Sequence, residues 1–140
     1  GVAKPGSATR QLAETVDLYP TLAELAGLPK PKGPQAIDGV SLVPVLKNPK
    51  ARVRDHAFHA YPRRKLGRAI RTERYRLVEW KNHAKPDEAA EYELYDYQSD
   101  PNETQNHAAT RPEVVEQLKT ILAQCPKPVT RSRWTSKKQK

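Results

Sequence analysis

Apolar residues recur along this chain with two different periods, and the change of period divides it. Leu18, Leu22 and Leu25 stand at helical spacing. Asp17 precedes them as a potential cap, and Pro20 falls in the first turn, where a missing N–H costs nothing. Gly27 stops this helix, and Pro29 and Pro31 prevent its resumption. Gly1 to Arg10 lacks periodicity and reads as a loop, with Leu12 to Thr15 as a short extended piece. Lys30 to Ala36 is a second loop. Ser41 to Leu46 reads as a short apolar turn broken by Pro44, and Lys47 to Arg54 as exposed polar chain.

From His56 onward the period is two. His56 to Tyr61 reads as a strand. Arg68 to Thr72 and Tyr75 to Trp80 read as a tight hairpin around Glu73 and Arg74, and Tyr92 to Tyr97 as a fourth strand. Lys81 to Ala90 is a polar link, and Ser99 to Asn106 a cluster of turn formers. The helical period then returns. Thr110 and Glu113 match a capping box with Pro112 in the first turn. Val114, Leu118, Ile121 and Cys125 share one face, with Val115 and Leu122 beside it, and Pro126 and Pro128 end the helix. Four clustered strands and two helices predict an α+β fold, a small antiparallel sheet covered on one face by the C-terminal helix. The expected division is 1–50, with one helix and a connecting loop; 51–125, with the sheet and terminal helix; and 126–140, a basic tail too poor in apolar residues to fold.

Composition adds little to this picture except through charge. The 140 residues are 36% hydrophobic, with 13 Pro, one Cys and no Met. A single Cys excludes an internal disulfide and a CxxC metal knuckle. No apolar run is long enough to span a membrane. The net charge of +9 is concentrated: six basic and no acidic residues lie between Lys127 and Lys140. Ten basic residues against Asp55 and Glu73 lie between Lys50 and Arg76, and seven acidic residues with no basic ones lie between Asp87 and Glu103.

Most candidate chemistry has a structural explanation that outweighs it. His56 and His59 are three apart on a strand and therefore point to opposite faces. His83 and His107 are isolated in loops. Asp96, Gln98, Asp100 and Asn102 alternate like a calcium loop, but Pro101 stands where Gly is required and His107 where the distal Glu belongs. Cys125 on an apolar helix face reads as a small buried hydrophobe. The pairs Glu73 with Glu79 and Asp96 with Asp100 are of a kind that surface turns carry routinely. The stretch from His59 through Tyr61, Arg63, Arg64 and Lys65 to Arg68 is different, because a solvated basic loop and a binding site account for it equally well. It gathers a ring, an imidazole and four cations at a strand end, and guanidinium forks suit carboxylate, sulfate or phosphate.

Several phrases read together resemble the sulfatase family. Val16-Asp17-Leu18-Tyr19-Pro20-Thr21-Leu22-Ala23-Glu24-Leu25-Ala26-Gly27-Leu28 resembles the helix after the catalytic core. Asp38-Gly39-Val40-Ser41-Leu42-Val43-Pro44-Val45-Leu46 resembles the next turn. Ile70-Arg71-Thr72-Glu73-Arg74-Tyr75-Arg76-Leu77 resembles the C-terminal hairpin. Glu93-Leu94-Tyr95-Asp96, with Asp100-Pro101-Asn102-Glu103 and Asn106, resembles the final strand and turn. His59-Ala60-Tyr61-Pro62-Arg63 is similar to iduronate-2-sulfatase-like members. The resemblance runs from about residue 10 to 124.

It implies the C-terminal subdomain of an alkaline-phosphatase-like sulfatase, cut from a longer, exported chain. In that family a missing N-terminal catalytic domain would hold a formylglycine, made from Cys in a C-x-P-S-x-R motif, and a calcium ion that polarises the sulfate. Cys125-Pro126-Lys127-Pro128-Val129 lacks the Ser and Arg of that motif, so no catalytic and no metal residue is expected here. The resemblance assigns His59, Tyr61, Arg63 and Arg64 to the substrate rim, facing a sulfated sugar. No nucleic-acid partner and no membrane segment are expected. The competing readings are a free-standing basic module that binds polyanions, and an inactive truncated relic.

Overall fold

The computed structural model describes residues 5–29, 36–62, 65–82, 85 and 89–126. The 126–140 tail beyond Pro126, His83, Arg63, Arg64 and most of the Lys30–Ala36 loop lie outside the described residues. A 3-10 turn, Thr15–Asp17, runs into helix α1, Leu18–Leu25, followed by the short helix α2, Val43–Lys47. Strands β1 (Ala57–Pro62), β2 (Leu66–Arg71), β3 (Tyr75–Lys81) and β4 (Glu91–Asp96) precede helix α3, Pro112–Gln124. The four strands form one antiparallel sheet in the order β1-β2-β3-β4, as the period-two pattern predicts.

The register explains the core. Phe58, Ile70, Leu77 and Leu94 are successive cross-strand partners, so one row of side chains crosses the whole sheet on one face. Ile70, Leu77 and Leu94 are fully buried there against Val115, Leu118, Leu122 and Cys125 of α3 and its end. Each buried aliphatic side chain of this size contributes about 1.5–3 kcal/mol. Phe58, Tyr75, Tyr92, Val114 and Ile121 flank this cluster. The buried seam of α3 is thus rotated slightly from the expected face, toward Val115 and Leu122.

Three local expectations are corrected. The cap of α3 is Arg111, and no side chain caps the helix. Thr110 is engaged elsewhere: its N–H and its hydroxyl both donate to the His107 carbonyl, closing the preceding turn. Ser41 to Leu46 is not merely a turn, because Pro44 sits at the start of α2, where its missing N–H is harmless. Asp17 does not cap α1 either.

Asp17 instead organises the N-terminal region. It is completely buried, and its carboxylate accepts hydrogen bonds from the Glu14 N–H at 2.8 Å, the Val40 N–H at 2.9 Å and Arg54. Thr21, one turn on, donates to the Asp17 carbonyl at 2.6 Å and accepts from the Leu42 N–H at 2.9 Å. A Cβ on Gly39 would lie 2.0 Å from the Val16 carbonyl oxygen, so the chain can pass here only without a side chain. Glu14 accepts from Arg54 and from the Phe58 N–H, which ties this region to β1.

Candidate functional site

Alternation along the strands sorts the candidate residues onto two faces. His59 and Tyr61 project from edge strand β1 on the face opposite α3, and both are exposed. Their rings stack with centroids 6.4 Å apart and planes 19° apart. Arg63 and Arg64 follow directly in sequence and lie outside the described residues. Lys65 ion-pairs with Glu91.

Arg68 is separated from this group. It is paired in register with Ala60, not with His59 or Tyr61, and so projects toward α3. There it donates to the Leu122 carbonyl at 2.6 Å and meets Glu79 at 3.4 Å. The expected convergence of four cations at the end of β1 therefore does not include Arg68, whose role is to fasten α3 to the sheet. Glu79 accepts a further bond from the Tyr92 hydroxyl at 3.1 Å, so it belongs to the same structural network.

The face carrying His59 holds a cleft of about 600 Å³. His59, Ala69, Arg71 and Arg76 of the sheet line it together with Glu14, Thr15 and Tyr97. Arg71 lies over the Tyr97 ring, its guanidinium carbon 3.1 Å from the centroid. Arg76 ion-pairs with Glu103 at 2.8 Å, and Glu103 also accepts from the Tyr97 hydroxyl. Burial and that bond push the Tyr97 phenol upward. Glu103 holds this geometry with φ of 56°, a left-handed conformation that few residues other than Gly adopt. The Arg71–Arg76 pairing was not found from spacing because it depends on the hairpin register.

The calcium-like alternation resolves into turn chemistry. Asp96 accepts from Arg74 at 3.0 and 2.8 Å, Arg111 at 2.7 Å and the Gln98 N–H at 3.1 Å. These bonds, led by that from Arg74, hold its carboxyl far below the usual carboxylate range. Asp100 accepts from Thr104 and the Gln105 N–H, and its carboxyl is lowered by such bonds against the opposing effect of burial. With two guanidinium groups on Asp96, this loop does not fit a cation. Among the described residues no three His, Cys, Asp or Glu side chains group as metal ligands. Cys125 is buried at the end of α3, and burial pushes its thiol upward, the opposite of activation.

Asn106 closes the outer edge of the sheet. Its side chain accepts from the Leu94 N–H at 3.0 Å and donates to the Tyr92 carbonyl at 3.3 Å, and the His107 N–H donates to the Leu94 carbonyl at 2.8 Å. The phrases that resemble sulfatases are thus phrases of architecture: Asp17, Thr21, Gly39, Asp96 and Asn106 each hold a crossing of the chain.

Comparison with known proteins agrees with this reading. An N-acetylglucosamine-6-O-sulfatase of Bacteroides thetaiotaomicron is 31% identical over 112 residues, covering 74% of this chain and 19% of that protein. Arylsulfatase K of Xenopus laevis is 31% identical over 121 residues, covering 81% of this chain and 22% of that protein. The chain therefore spans about a fifth of the length of these curated relatives. A solved structure described as a complex with its substrate D-glucosamine-2-N,6-O-disulfate superposes with a TM-score of 0.59 at 28% identity, covering 76% of this chain and 22% of that one. The family described as N-sulphoglucosamine sulphohydrolase, C-terminal, matches residues 1–127, and the chain belongs to that family.

Proposed function

We propose that this chain is the C-terminal part of a longer enzyme that hydrolyses sulfate esters of glycans, and that it forms one wall of the substrate cleft. The observation that carries the reading is the family match over residues 1–127, combined with coverage of only 19% and 22% of sulfatase relatives. The bond-breaking groups belong to an N-terminal catalytic domain, which would supply the formylglycine and the calcium ion. The pairing of cations supports this over a free polyanion-binding module. Arg52, Arg54, Lys65, Arg68, Arg74, Arg76, Arg111 and Lys119 each meet a carboxylate, so these eight cations are already neutralised within the chain.

The substrate reading is a sulfated amino sugar or a sulfated, carboxylate-bearing sugar. The first follows the named substrates of relatives. The second, iduronate-2-sulfatase-like, rests on His59, Tyr61, Arg63 and Arg64. The stacked, exposed rings of His59 and Tyr61 offer hydrogen-bonding edges to sugar hydroxyls.

The test is to express the complete gene that contains this chain and assay sulfate release from 6-sulfated glucosamine and from 2-sulfated iduronate. The full-length protein should release sulfate from one of them, and this chain alone from neither. Sulfate release by the isolated chain would overturn the proposal. Arg63→Ala in the full enzyme should raise KM for charged oligosaccharides far more than for a small aryl sulfate. Equal effects would remove Arg63 from the rim.

A further inference from the structure

Arg71 and Arg76 are direct cross-strand partners on the exposed-face side of the sheet. Like charges placed opposite one another destabilise a strand pair unless each is neutralised. Arg76 has Glu103 at 2.8 Å. Arg71 has no carboxylate partner among the described residues and lies over the ring of Tyr97. One of its terminal nitrogens, Nη1, is buried without any hydrogen-bond partner. Glu14, the acidic residue that lines the same cleft, is occupied by Arg54 and the Phe58 N–H.

A guanidinium that lines a cleft, lies over a phenol ring and meets no carboxylate among the described residues is a receptor for a planar or tetrahedral oxyanion. The cleft volume of about 600 Å³ leaves room for a sugar unit beside that anion. His59 and Thr15, which also line it, can both hydrogen-bond hydroxyls.

We propose that Arg71, seated on Tyr97 and flanked by His59, anchors an oxyanion subsite that takes an acidic group of the glycan, sulfate or carboxylate, other than the ester being cleaved. This deepens the proposed function and rests on it for the identity of the ligand. It extends the binding wall from the end of β1 across β2 to the turn after β4.

The test uses the full-length protein, with D-glucosamine-2-N,6-O-disulfate as the binding probe and a small aryl sulfate as the turnover probe. Arg71→Ala should weaken binding of the disulfated sugar by about tenfold or more, the loss expected for a charge-assisted bond. Arg71→Lys, which keeps the charge but not the fork, should weaken it several-fold. Lys119→Ala, on the opposite face, should leave it unchanged, and turnover of the aryl sulfate should survive all three.

Unchanged binding in both Arg71 variants would overturn the proposal. So would a parallel loss of aryl sulfate turnover in Arg71→Lys, which would mean that Arg71 holds the protein together, for instance on a carboxylate of the rest of the chain. If Arg71→Ala does not fold, the lysine variant carries the same reading. Sulfate release with Arg71 indifferent would sink the subsite and leave the enzyme reading intact. Sugar binding through Arg71 without sulfate release would do the reverse.

Discussion

At the residue scale, Asp96 joins the β2–β3 turn, the end of β4 and the start of α3 through one carboxylate. Asp96→Asn would leave Arg74 and Arg111 without their anion. Both guanidiniums reach solvent, so the penalty is below that of a fully buried pair. A loss of roughly 2 kcal/mol is expected in thermal or denaturant unfolding of the full-length protein. The sign with pH follows from the direction of the shift. A carboxyl held below its unfolded value contributes its stability in full above about pH 4 and loses it as pH falls through and below that value. Asp96→Asn should therefore flatten the stability curve in acid, and an unaltered acid limb would refute this role. Gly39 makes a different point. Its substitution fails for want of space, since a Cβ would meet the Val16 carbonyl at 2.0 Å. Gly39→Ala should be more damaging than Gly27→Ala. Gly27 pays only for its φ of 67°, with nothing within 4 Å of its virtual Cβ.

At the element scale, the strands and α3 were legible because their periods of two and 3.6 are undisturbed over several residues, and α3 is bracketed by Pro112 and Pro126. Leu118 and Leu122 stand 3% and 2% exposed at the centre of that seam. Leu118→Ala should cost about 2–5 kcal/mol in unfolding experiments, and Gln117→Ala on the solvent side almost nothing. The candidate site was legible only in part. His59 and Tyr61 sit together on one face because odd positions of β1 must do so. Arg68 could not be placed from sequence, since its face depends on a register that puts it opposite Ala60. The same dependence hid Arg71, whose neighbours Arg76 and Tyr97 come from β3 and from the turn after β4. The caps were misread for a local reason: Thr110 and Asp17 both have cap-forming side chains, but the His107 carbonyl engages the first and Arg54 with two backbone N–H groups the second.

At the scale of the whole molecule, α3 fills one face of the sheet, while α1 leaves an apolar face bare among the described residues. Leu18, Leu22 and Leu25 of α1 follow helical spacing, yet they are 56%, 63% and 54% exposed, while Thr21 and Ala23 supply the contacts inward. Val16, Tyr19, Leu28, Ile37 and Val40 extend this surface, which borders a groove of about 660 Å³. An exposed apolar face of this kind marks an interface. If the rest of a longer enzyme covers it, the same substitutions must act oppositely in two contexts. Leu18→Lys, Leu22→Lys and Leu25→Lys together should improve the solubility of this chain expressed alone and reduce its binding of a hydrophobic dye. In the full-length protein they should lower the melting temperature and increase proteolysis between the two parts, because three cations would be buried against an apolar partner. The changes lie away from the β1 rim, so any full-length protein that stays folded should keep its KM for small aryl sulfates. A triple variant that melts like the parent in the full-length context would show that α1 faces solvent there too, and the covering partner would have to be sought elsewhere.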